Sequence, residues 1–192
     1  MFHDWILIFS IVLFATNFAS QRFNFPRRRL DLFWLNAIFV FLFLSVLTYL
    51  QYSGWANSPL TAYLLPPKTS VSYFIQYVFF RIWSSHIMSF GFALLAVYGL
   101  RIYNKKKEGA LLREHEEWIA GSAILLSGFP GVVLFVPVFF MLFLLTTAVQ
   151  TLRKGKEYRV SPYYMWFPTA LCVILTVYLF FSQSSWWLLL RP

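Results

Sequence analysis

The feature that most limits what this chain can fold into is a set of apolar runs too long for the surface of a water-soluble domain. Residues 32–52 carry no charge and are rich in Phe and Leu. A run of roughly 18 or more apolar residues reads as a membrane span, because about 20 residues at 1.5 Å each cross the hydrocarbon core. At least three such runs occur, and only 12% of the chain is charged, against about 25% in ordinary soluble domains. The expected fold is an all-α integral membrane protein, a single polytopic domain over residues 1–192.

The first span is expected at 5–19 and the second at 32–52. Between them lie Arg22, Arg27, Arg28 and Arg29, with Pro26 keeping the connection non-helical. The N-terminal "MFHD" lacks the positive flank of a signal peptide, so the first span is expected to be retained. The apolar stretch 71–103 would be about 50 Å long as one helix, well over a ~30 Å core. Arg81 lies within it, and an arginine at the bilayer centre costs about 2.5–3.5 kcal/mol on insertion scales. We therefore divide it: residues 71–83 at the outer interface, with Tyr73, Tyr77 and Trp83 at headgroup level, then a third span at 84–103. Ser85, Ser89, Ala93 and Ala96 form a small-residue stripe on that span, which permits close helix packing. The last full span is expected at 165–181, with Trp186 and Trp187 in an interfacial belt.

The net charge of +9 would suggest nucleic acid on a soluble protein. Here the cations sit in short loops between spans, so orientation in a bilayer explains them more simply and no nucleic-acid partner is expected. Besides the first loop, they occur as Arg101, Lys105, Lys106, Lys107 and Arg113, and as Arg153, Lys154, Lys156 and Arg159. Basic loops orient spans with the cations inside. The expected placement is multi-pass in a cell or organelle inner membrane, both termini outside, basic loops cytoplasmic and anionic lipid headgroups as local partners.

That count makes 118–149 begin and end on the cytoplasmic side, yet it is too short for two comfortable spans. Gly128, Pro130 and Gly131 supply a turn. The prediction is about four full transmembrane helices plus a broken or re-entrant helical hairpin over 118–149. Backbone freed at the turn must be covered by protein or line a wet cavity.

Chemistry is sparsely signalled. Glu114, His115, Glu116 and Glu117 form the densest polar cluster, and the first three are the weak catalytic candidates. Consecutive residues fan around a helix and do not converge. A zinc HExxH motif would need a second histidine where Ile119 stands. The plainer expectation is a solvated helix start, with acids near the positive end of the helix dipole. His3 and His86 are not placed to hold haem, and no metal or cofactor is expected. Asn17, Asn36 and Gln51 suit interhelical hydrogen bonds, and the single cysteine, Cys172, suits packing.

"GSAILLSGFPG", a long apolar run, a basic loop and "SPYYMWFP" loosely resemble the C-terminal part of bacterial prepilin peptidases over about 60 residues. That family uses two aspartates at the membrane interface. The corresponding positions here fall at Ile119 and near Gln21, so aspartyl peptidase activity is not expected. The expected function is instead a non-enzymatic integral membrane subunit: a scaffold, assembly or accessory chain of a larger complex, with other membrane chains or further copies of itself as partners. The alternatives are a small membrane enzyme acting on lipid or peptide, and an oligomeric channel or carrier.

Overall fold

A computed structural model describes residues 8, 11–13, 15, 16, 29–107, 112, 116–154 and 162–181. Described residues form helices and turns, with no strand among them. The helices are α1 (Arg29–Asn57), α2 (Val71–Val78), α3 (Ser84–Lys106), α4 (Glu116–Ser127), α5 (Gly131–Lys154) and α6 (Trp166–Thr176). A π-helical segment, Phe79–Trp83, joins α2 to α3, and a second, Val177–Phe181, extends α6. Among the described residues four helical runs are long and apolar enough to cross a membrane: Asp31–Asn57, Val71–Lys106, Gly131–Arg153 and Pro162–Phe180.

α1 and α3 pack antiparallel along an aromatic seam. Phe33 stacks on Phe90, Phe41 on Trp83, and Trp55 meets Tyr77 at a centroid distance of 4.7 Å. The Trp83 indole donates to Thr48 Oγ1 at 2.9 Å. The seam runs along both α2 and α3, and Val71–Lys106 is one continuous 36-residue helical run. The division expected at 83/84 therefore falls inside one unbroken helical run. The π-helical stretch lies where the division was expected and carries Arg81, whose side chain is exposed. A π turn changes side-chain register while leaving the helix unbroken, so the chain accommodates the register change without a loop.

α4 is the centre of the molecule. All twelve of its residues are buried, with α1, α3, α5 and α6 around it. At 1.5 Å per residue it is about 18 Å long, too short to cross a ~30 Å core. Close approach is possible because Gly121 has no side chain: a Cβ there would lie 2.4 Å from Val97 Cγ2 and 3.2 Å from Phe33 Cε2. α3 runs antiparallel to α4. Ser89 donates to the Ile124 carbonyl at 2.9 Å, and Ser85 holds both the N–H and the carbonyl of Phe129.

The chain reverses at Gly128–Pro130. Gly128 has φ +62°, a conformation that glycine alone adopts freely. The Val132 N–H then donates to the Gly128 carbonyl at 2.9 Å, which starts α5. Gly131 meets α6, where a Cβ would lie 3.2 Å from Val173 Cγ1. Farther along α5, Phe135 and Phe139 stack on Trp166, the first residue of α6. α5 thus runs back along α6 towards the start of α4. Its remaining residues, 140–154, extend about 22 Å farther at helical rise.

The hairpin therefore exists as a chain reversal, but its arms are Glu116–Ser127 and Gly131–Lys154, longer than 118–149 at both ends. Its second arm is itself of spanning length. The expected first span, 5–19, lies mostly outside the described residues. Of its described positions all are helical, and Leu13 joins the core. Trp186 and Trp187 also lie outside the described residues.

Candidate functional site

Among the described residues, a polar place lies at each end of α4. The first is its start. Glu116 has 0% exposure and Glu117 has 7%. This corrects the expectation of a solvated helix start: the acids do sit in the first turn of α4, but α4 begins beneath the ends of α3 and α5. The Trp166 indole donates to Glu116 Oε1 at 2.8 Å. Trp166 is itself stacked on Phe139, with ring centroids 4.2 Å apart and an interplanar angle of 14°. Hence an indole fixed by stacking holds a carboxylate fixed by burial. Glu117 has no hydrogen bond or ion pair to another described residue. Glu114 and His115, the other weak catalytic candidates, lie outside the described residues.

The second place is the turn at the far end of α4. Here the C-terminal carbonyls of α4 meet the N-terminal amides of α5. The Ser89 hydroxyl lies within reach of the Ile124 and Leu125 carbonyls at 2.9 and 3.2 Å, and Ser85 holds Phe129. These bonds satisfy backbone that a helix interruption exposes. His86 lies beside the turn, with Cε1 4.0 Å from where a Gly128 Cβ would be. Its Nδ1 is buried and has no hydrogen-bond partner among the described residues.

The small-residue stripe lies on the helix that faces α4. Ser89 and Ala93 are fully buried, Ser85 binds the turn, and Ala96 is partly buried against the core. Val97, absent from that stripe in the sequence reading, is also fully buried and makes the closest approach to Gly121. Of the turn residues, only Gly128 adopts positive φ. Gly131 is needed for space, not for backbone freedom.

Among the described residues no three His, Cys, Asp or Glu side chains converge on a common point. Cys172 is exposed and free. An open groove of about 320 Å³ lies between α1 and α3, lined by Trp34, Phe41 and Phe90 among others. Its one hydroxyl, Ser45, donates to its own helix at the Phe41 carbonyl. The groove therefore offers apolar surface and no reactive group.

Sequence reasoning missed the Glu116–Trp166 pair because its members are fifty residues apart. The one available signal was a glutamate immediately before an apolar run with no lysine or arginine at helical spacing after it.

The described residues form an all-helical fold with four helices long and apolar enough to cross a membrane, built round a short buried helix. No family model, no curated protein and no solved structure matches it.

Proposed function

We propose that the protein is a non-enzymatic integral membrane subunit, serving as a scaffold, assembly or accessory chain of a larger membrane complex. The observation that carries this reading is the bareness of α5. Only 6% of its apolar window is buried within the chain, against 28–39% for the other three long helices. Phe140, Met141, Leu144 and Leu145 all project outward. Lipid can cover such a surface, but a helix held by α4 and α6 only along its first turns is also the natural attachment point for another chain. The polar groups support the same reading. Ser85, Ser89 and Glu116 all bind partners within the bundle, which suits holding a shape more than reacting with a substrate.

In this reading α4 and the turn form a re-entrant element in the bilayer, the ends of α3 and α5 face the cytoplasm, and the loop between α1 and α2 faces outward. The test is extraction from native membranes in mild detergent, with a photo-crosslinking residue at Leu144. A covalent adduct to a second protein chain, or to another copy, is expected. A monodisperse single copy with adducts to lipid only would overturn the proposal.

A second reading, an oligomeric channel or carrier, is favoured by one observation. The broken helix pair brings opposite helix ends together beside the unpartnered Nδ1 of His86, an arrangement that suits ion or substrate passage. Flux into vesicles containing the purified protein, lost in His86→Ala, would move the assignment to that class.

A further inference from the structure

Exposed cations are concentrated towards one end of the bundle, with only Arg81 and Lys68 among the described residues exposed towards the other. α3 and α5 both run from the level of the Gly128 turn to the same end, where Arg101, Lys105, Lys106, Lys107 and Arg153 are exposed. None of these five forms an ion pair with a described residue. At the opposite end Lys68 is placed over the Tyr63 ring, 3.6 Å from its centroid. Asn104, one residue before the lysines, accepts from the Leu112 N–H at 3.1 Å and donates to the Leu112 carbonyl at 3.3 Å. Leu112 therefore lies back against α3, beside Asn104.

On α3 the cations continue an apolar stripe. Leu95, Tyr98 and Ile102 are 71%, 53% and 59% exposed. With Lys105 they follow one another at steps of three and four residues, so they share a helix face. Arg101 and Lys106 flank that face. One side of a single helix thus presents apolar surface, then an aromatic ring, then three positive charges.

We propose that this stripe is a binding site for an anionic phospholipid, with the headgroup phosphate at Arg101, Lys105 and Lys106 and an acyl chain along Leu95 and Ile102. A free phosphate would use the cations but leave the apolar half of the stripe without a role. A nucleic acid would want cations spread over a water-facing surface, whereas these end at a lipid-facing one. Each cation near a membrane surface adds roughly 1 kcal/mol, about a fivefold change in affinity.

The test uses the full chain in neutral detergent, titrated with phosphatidylglycerol, phosphatidylcholine or inorganic phosphate, with retained lipid counted by native mass spectrometry. Phosphatidylglycerol is expected to bind most tightly, with an affinity that falls as salt rises. Arg101→Gln with Lys105→Gln and Lys106→Gln should weaken it on the order of a hundredfold, while Lys105→Arg with Lys106→Arg should bind as the wild type. Leu95→Ser with Ile102→Ser should weaken long-chain lipid and leave binding of water-soluble glycerophosphoglycerol unchanged. Three results would each overturn the proposal: equal binding of phosphatidylcholine, equal affinity for inorganic phosphate, or unchanged binding by the glutamine variant. Should the triple variant not fold, Lys105→Gln and Lys106→Gln singly are expected to lower affinity about fivefold each, and no change in either overturns the site equally.

Discussion

Trp166 and Glu116 join the first turns of two helices that enter the bundle side by side, through a 2.8 Å hydrogen bond from the indole N–H to the carboxylate. The pair ties α6 to α4 at one end, and Gly131 against Val173 ties the other end through α5. Trp166→Phe would keep the stack on Phe139 and remove the donor. A typical hydrogen bond contributes about 0.5–1.5 kcal/mol, and a buried acceptor left without its donor costs about 1–3 kcal/mol. The variant is expected to unfold at a clearly lower temperature in detergent, and Trp166→Ala lower still. A Trp166→Phe protein as heat-stable as the wild type would show that the bond is dispensable.

Gly121 lies where three helices converge. Gly121→Ala places a methyl group 2.4 Å from Val97 Cγ2, and Val97 is stiff at χ1. Overpacking of this kind costs about 1–3 kcal/mol. Val97→Ala in the same chain should recover much of the loss. A double-mutant cycle with coupling near zero would exclude direct contact between the two positions.

The two turn glycines should respond differently. Gly128→Ala forces a non-glycine residue to φ near +62°, at about 1–2 kcal/mol. Gly131→Ala meets Val173 at 3.2 Å and should be milder. Gly131→Leu should be the most damaging, because its bulk would separate α5 from α6. Thermal unfolding of the three variants gives the ranking directly.

Ser89→Ala removes the hydroxyl that reaches the Ile124 and Leu125 carbonyls. Interhelical bonds in membrane bundles average about 0.6 kcal/mol and reach about 1.7. A modest destabilisation is expected, with Ser89→Thr worse because the site is fully buried.

Orientation can be read by labelling single cysteines on a Cys172→Ser background. A membrane-impermeant reagent added outside should modify Asn57→Cys and spare both Lys106→Cys and Lys154→Cys. Opposite reactivity of positions 106 and 154 would mean that α5 does not return to the side from which α4 starts.

Much of the architecture is visible in local sequence. The run 32–52 lies inside α1, and the glycines and proline at 128–131 mark the reversal, because apolar length and turn chemistry are properties of adjacent residues. What escaped the sequence depends on distant ones. Val71–Lys106 is packed along both of its halves by Trp55 and Phe41, which stand on another helix. Glu116 is buried because Trp166 is there to bind it. Neither partner can be found by counting charges near the residue itself.

The burial of α4 also orders the protein's biogenesis. This helix is too short to remain across a bilayer unaided, and α6, the wall that carries Trp166, is synthesised after α5. Until α6 arrives, the emerging chain holds a half-length helix with one flank open and a glutamate lacking its indole. The wall round α4 is therefore complete only once α6, the last of the described α-helices, has been added.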